Sequence, residues 1–163
     1  RLIPKDLFRI SALEGELRPY QERGLGWLAL MADLGLGGVL GDDMGLGKTI
    51  QLIALHLHRR QVDRRPTLVV CPASVGGNWE REIQRFAPSI RVHRYHGNRR
   101  RIPDVDQSSD IVLTTYGVAR RDAERLSAIG WDLVIADEAQ AIKNPYSRTA
   151  RALRLIGANA RFA

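Results

Sequence analysis

Two stretches of the chain carry residue types that do chemistry at spacings that chemistry requires. In the first, an apolar lead enters the glycine-rich turn Gly41-Asp42-Asp43-Met44-Gly45-Leu46-Gly47 and ends on Lys48-Thr49, at the head of an apolar-periodic segment. Glycines let the backbone bend until several N–H groups face one concavity, and a following helix adds its unpaired N-terminal donors. A lysine then supplies a point charge for β/γ-phosphates, and a threonine hydroxyl can ligate Mg²⁺. The common form of such a loop has glycine where this chain has Asp42. In the second stretch, the apolar run Leu133-Val134-Ile135-Ala136 leads into Asp137-Glu138-Ala139-Gln140. One carboxylate there can hold Mg²⁺, directly or through water, while the other orients and deprotonates an attacking water. An isolated Asp-Glu pair more commonly just caps the next segment. Behind a buried strand, in a chain that also carries a Gly-Lys-Thr loop, it reads as the acidic half of a nucleotide site.

These residues need a scaffold that brings them together. Leu17-Arg18-Pro19-Tyr20-Gln21 opens a helix, since proline suits a first turn. Tyr20, Gly24, Trp27, Leu28 and Met31 then share one face. Val39-Leu40 reads as a short buried strand ahead of the loop, and a helix follows over about 48–60 with Ile50, Ile53, Ala54 and Leu57 inward. Thr67–Cys71, Ile111–Leu113 and Leu133–Ala136 are continuously apolar strands, and Arg91–Tyr95 alternates as an edge strand does. Helices are expected over about 77–87, 118–126 and 147–156, with a further strand near 159–163. Strands apolar on both faces, alternating with helices, predict an α/β fold with a mainly parallel sheet covered on both sides. Ligands bind such sheets at the carboxyl ends of the strands. The glycine loop, Pro72-Ala73-Ser74, Thr114-Thr115 and Asp137-Glu138 each follow or end a strand, so they belong on one edge. Residues 1–16 show no period and read as a lead-in; 17–163 read as one lobe.

Composition adds bounds. The chain has 163 residues, 44% apolar and 26% charged, which suits one globular domain. No apolar run approaches the roughly 18 residues of a membrane span. Cys71 is the only cysteine, so no intramolecular disulfide can form, and a reducing, cytoplasmic setting is expected. The net charge of +7 suits a polyanionic partner, although the basic residues are nearly all arginine. His56 and His58 do not share a helix face, and His93 and His96 lack companions at ligand spacing, so no structural zinc is expected. Trp79, in step with Ile83 and Phe86, reads as core rather than as a platform for bases. Arg99-Arg100-Arg101 reads as a solvated loop cluster before a DNA-facing one.

The segments LRPYQ (17–21), GDDMGLGKTIQ (41–51), VVCPASVGGNWEREIQRF (69–86), DIVLTTYG (110–117) and DEAQAIKNP (137–145) stand in the order and spacing of the Swi/Snf-type ATPases. These are chromatin-remodelling and DNA-repair translocases of helicase superfamily two. The chain resembles their first RecA-like lobe, a P-loop NTPase fold, over about 15–163. That family typically has Asp at the position of Asp42, and DEAQ in place of DEGH resembles a prokaryotic branch. The resemblance implies ATP and Mg²⁺ as cofactors. Gln21 would contact adenine, with Arg18 and Tyr20 nearby. Asp43, Met44, Gly45, Leu46, Gly47 and Ile50 would surround the nucleotide, Lys48 would hold the β/γ-phosphates, and Thr49 and Asp137 would hold Mg²⁺. Glu138 would be the catalytic base and Gln140 would couple nucleotide state to the neighbouring motif. Pro72, Ala73, Ser74, Thr114 and Thr115 would touch the DNA backbone, with Lys143 and Asn144 near it.

The implied partners are double-stranded DNA and a second RecA-like lobe of the same full-length chain, which would supply arginine fingers. This piece alone is therefore expected to hydrolyse ATP negligibly. The competing readings are an RNA-remodelling helicase lobe and a non-catalytic, nucleotide-gated interaction module.

Overall fold

The computed structural model describes residues 10, 12–39, 47–98, 100–101, 110–142 and 144–163. Among them, β1 (Thr67–Cys71), β2 (Val92–Arg94), β3 (Ile111–Thr115), β4 (Trp131–Ala136) and β5 (Ala158–Phe162) form one parallel sheet in the order β2-β3-β1-β4-β5. Helices α1 (Pro19–Asp33), α2 (Lys48–Arg60) and α3 (Gly76–Phe86) cover one face, and α4 (Tyr116–Arg121), α5 (Ala123–Ser127) and α6 (Arg148–Leu155) cover the other. Successive strand side chains point to opposite faces, so Val69, Leu113 and Ile135 pack toward α1–α3 while Leu68, Val112 and Val134 pack toward α4–α6. That two-sided burial is why these strands read as continuous apolar runs.

The strands end level with one another. Cys71 pairs with Thr115 and Val70 with Ala136, so the segments after β1, β3 and β4 emerge side by side, as their apolar-to-polar transitions predicted. Helix α1 starts at Pro19, and the Arg18 N–H donates to Gln21 Oε1 at 2.8 Å, half of a capping box. Its buried face is Gln21, Leu25, Leu28, Ala29 and Ala32, rotated by one residue from the predicted stripe. Trp27 is consequently 40% exposed, and its ring lies over Gly38, where an added Cβ would come within 2.3 Å of it.

Two other expectations need correction. Val39 is not the core of a buried strand but is 73% exposed. Only Gly38 bridges to Phe162, on the outer side of β5, and Val39 lines the cavity described below; Leu40 lies outside the described residues. The helix expected over 118–126 is two helices broken at Asp122, whose carboxylate turns inward to accept from Tyr95 Oη at 2.6 Å and from Arg100 Nη2 at 2.8 Å.

The opposite edge of the sheet is fastened by charge. Asp132, at the start of β4, is buried, and accepts from Arg59 Nη2 at 2.7 Å and Nε at 3.0 Å. Arg59 also reaches Asp33 at 3.1 Å, and Asn159 donates to Asp132 at 2.9 Å, which ties α1, α2, β4 and β5 together. Nearby, His56 on α2 is buried with Nδ1 2.8 Å from Thr67 Oγ1.

Candidate nucleotide site at the carboxyl edge of the sheet

A cavity of about 1070 Å³ opens between the head of α2 and the end of β4. Gly47, Lys48, Thr49 and Ile50 line one wall and Asp137, Glu138 and Gln140 line another, with Arg18, Tyr20 and Gln21 beside them. The two chemical stretches, far apart in the sequence, thus face one space. Asp43, Met44, Gly45 and Leu46 lie outside the described residues, as do Arg99 and Lys143.

Gly47 is required where it stands. Its φ of 79° is left-handed, and a Cβ would sit 2.2 Å from Gln21 Nε2. Gly47 therefore delivers the chain into α2 while lying directly on the Gln21 amide. Lys48 and Thr49 are the first two residues of α2, where unpaired N–H groups and the helix dipole favour an anion.

Asp137 is held through its backbone and its side chain alike. Its N–H donates to Val70 O at 2.8 Å, which continues the sheet one residue beyond β4. Oδ2 accepts from Trp79 Nε1 at 2.8 Å and Oδ1 from the Glu138 N–H at 2.9 Å, while the carbonyl oxygen accepts from Tyr116 Oη at 2.6 Å. Burial, with Asp137 next to it, pushes the Tyr116 hydroxyl well above its ordinary pKa, so it stays a proton donor. The same two causes raise the Cys71 thiol to about 11, leaving it protonated and unreactive. Glu138 is the one non-glycine with positive φ among the described residues, at 55°. Such a backbone costs about 1–3 kcal/mol and concentrates at functional sites. Gln140 Nε2 donates to Glu138 Oε2, so the residue expected to couple is in contact with the expected base.

The residues expected on DNA fare unequally. Ala73 and Ser74 are exposed and Pro72 is half-buried on the turn after β1. Thr115 is half-exposed, and its Oγ1 accepts from the Val118 N–H at 3.2 Å as the cap of α4. Thr114 is a correction. It is only 2% exposed, and its hydroxyl donates to Tyr95 O at 2.9 Å, so that side chain cannot meet a phosphate at the surface. Asn144 is exposed and accepts from the Tyr146 N–H at 2.9 Å. Arg100 is not a solvated loop arginine either. It pairs with Asp122, whose carboxyl falls to about 2 chiefly through that bond, and lies over the Tyr95 ring.

Periodicity placed Trp79 in the core, where it is 1% exposed, but not its bond to Asp137. A buried indole N–H needs an acceptor, and that requirement was the available signal. Tyr116 had no such signal. Among the described residues no three His, Cys, Asp or Glu side chains gather as a metal centre, and no helix is long and apolar enough to cross a membrane.

The model of the SNF2-related domain matches residues 20–163. The chain belongs to the SNF2-related family. It is 45% identical over 153 residues to the putative ATP-dependent helicase/translocase YwqA of Bacillus subtilis, covering 89% of this chain and 16% of that protein. It is 39% identical over 159 residues to the ISWI chromatin-remodeling complex ATPase CHR11 of Arabidopsis thaliana, covering 93% of this chain and 15% of that one. The Sulfolobus solfataricus SWI2/SNF2 ATPase core in complex with dsDNA superposes with a TM-score of 0.86 at 42% identity, over 93% of this chain and 32% of that one. The sheet with helices on both faces is accordingly the RecA-like fold of SNF2 ATPase cores. The chain spans a small part of the length of each relative.

Proposed function

We propose that this chain is the nucleotide-binding lobe of a larger ATP-driven motor that acts on double-stranded DNA. The observation that carries the reading is the single cavity shared by Lys48 and Thr49, from the head of α2, and Asp137 and Glu138, from the end of β4. The donors fit Mg²⁺ with a triphosphate. They are a hydroxyl and carboxylates, hard oxygen ligands, with no imidazole or thiolate among the lining residues. Both Asp137 oxygens already accept a protein hydrogen bond, which suits contact with the metal through water rather than directly. Mg²⁺, when bound, would neutralise charge on the phosphate oxygens.

Each residue then has one task. Lys48 and the first N–H groups of α2 hold the phosphates, and Thr49 and Asp137 hold the metal. Glu138, turned by its left-handed backbone, orients and deprotonates the attacking water. Gln140 fixes the Glu138 carboxylate through its amide, and Gln21 with Arg18 and Tyr20 receives the base. Asp43, Met44, Gly45 and Leu46 complete the loop. Pro72, Ser74, Thr115 and Lys143 are proposed to meet DNA phosphates, a role that reads no sequence. Thr114 instead braces the strand end behind them. A second RecA-like lobe of the full-length chain would close the cavity and stabilise charge on the transferred phosphoryl group.

The test is hydrolysis of ATP by the full-length protein with duplex DNA, single-stranded DNA and RNA side by side. Duplex DNA should stimulate most. Greater stimulation by RNA would favour an RNA-remodelling enzyme, and no hydrolysis under any condition would favour a nucleotide-gated module.

A further inference from the structure

Asp137 is held from two directions by side-chain donors that are themselves packed against the two cores. Trp79 sits on α3, which leaves the turn Pro72-Ala73-Ser74 after β1. Its indole has a single polar atom, a donor, and spends it on Asp137 Oδ2 at 2.8 Å. Tyr116 is the residue after Thr115, at the end of β3, and its hydroxyl reaches the Asp137 carbonyl at 2.6 Å. The two bonds act on different atoms. One fixes the rotation of the carboxylate, and the other fixes the peptide that joins Asp137 to Glu138. The second matters because Glu138 is the strained residue, with φ of 55°, and a free peptide there would relax toward a commoner conformation.

Both donors are rigidly backed. Trp79 is 1% exposed within the core formed by α1–α3 and the sheet, and Tyr116 packs against the core beneath α4. Each is also covalently close to a strand end at the same sheet edge, Trp79 to the turn at Ser74 after β1 and Tyr116 to Thr115 at the junction of β3 and α4. A shift of either segment therefore has a short path to the acid. Satisfying a buried indole would have required only any acceptor, such as a backbone carbonyl; here the acceptor is the side chain that faces the cavity.

We propose that Trp79 and Tyr116 are positioning residues for Asp137, through which contact at the turn after β1 and at the β3–α4 junction reaches the metal-binding acid. This rests on the reading of Asp137 as the Mg²⁺ residue given above. The groups that orient a ligand ordinarily tune affinity for the metal by about 10-fold or more. Trp79→Phe and Tyr116→Phe each remove one donor and leave a ring in place.

The experiment is equilibrium titration of the full-length protein with a fluorescent ADP, in EDTA and then in Mg²⁺, with and without duplex DNA. In each variant the affinity in EDTA should equal that of the parent protein. The gain on adding Mg²⁺ should fall about 10-fold. Duplex DNA should enlarge that gain in the parent and not in the variants. A Mg²⁺ gain unchanged in both variants overturns the positioning role. A gain that responds to DNA equally in parent and variants overturns the path from the strand ends. If Trp79→Phe melts early, Tyr116→Phe decides alone, because it removes only one hydroxyl. No turnover is measured, so a parent protein that binds Mg²⁺·ADP but lacks DNA-stimulated hydrolysis would count against the proposed function and leave this result standing.

Discussion

Acid should loosen this fold at a higher pH than its carboxylates alone would allow, and His56 is the reason. The ring is buried between α2 and the start of β1, with Nδ1 2.8 Å from Thr67 Oγ1. Burial lowers its pKa from 6.5 to about 4, against an opposing pull from Asp110. The folded state therefore binds this proton less readily than the unfolded chain. Stability is fully present above the unfolded value of 6.5 and is lost as pH falls from there toward 4. One pKa unit is about 1.4 kcal/mol, so the full effect is about 3 kcal/mol, of which about 2 kcal/mol is lost between pH 7 and pH 5. That is a large share of the 5–15 kcal/mol typical of a domain. The paired carboxylates Asp63 and Asp122, held near 2 by Arg65 and Arg100, titrate below this window. Urea unfolding of the chain at pH 7 and pH 5 measures the loss. His56→Asn keeps a hydrogen-bonding group near Thr67 but cannot titrate, and should remove about 2 kcal/mol of the pH dependence, leaving the part due to His58, whose pKa burial also lowers. An equal loss in both proteins would refute the assignment.

Two further perturbations separate fold from site. Asp132→Ala leaves the buried Arg59 guanidinium without its main partner and should cost about 3–5 kcal/mol by urea unfolding. A cost below about 1 kcal/mol would mean that Asp33 alone satisfies the arginine. Gly47→Ala forces a Cβ to 2.2 Å from Gln21 Nε2 on a left-handed backbone, so it should weaken nucleotide binding measurably in the full-length protein; unchanged affinity would refute the close fit of Gly47 and the amide.

The sheet was legible because burial on two faces leaves an unmistakable apolar run, and the strand ends were legible because polar residues begin where burial stops. The phase of α1 was not. Trp27 is apolar enough to read as core, yet the buried positions include the polar Gln21, whose amide is needed against Gly47. Val39 misled for the converse reason, being apolar yet exposed at the cavity wall. At the site, glycine-turn and strand-end positions were enough to expect Lys48, Thr49, Asp137 and Glu138 on one edge, and all four line one cavity. Thr114 and Thr115 are identical in type and adjacent. Only the pleat, which turns one inward to Tyr95 and the other outward, distinguishes their roles. Arg100 likewise looked solvated until Asp122, distant in sequence, arrived beside it.

The central claim is that the cavity between α2 and β4 holds ATP and that Glu138 activates the water which cleaves it. The most direct measurement is ATP binding and duplex-stimulated hydrolysis by the full-length protein carrying Glu138→Gln. The account predicts retained ATP affinity with turnover reduced to background. Hydrolysis that survives the substitution would contradict it.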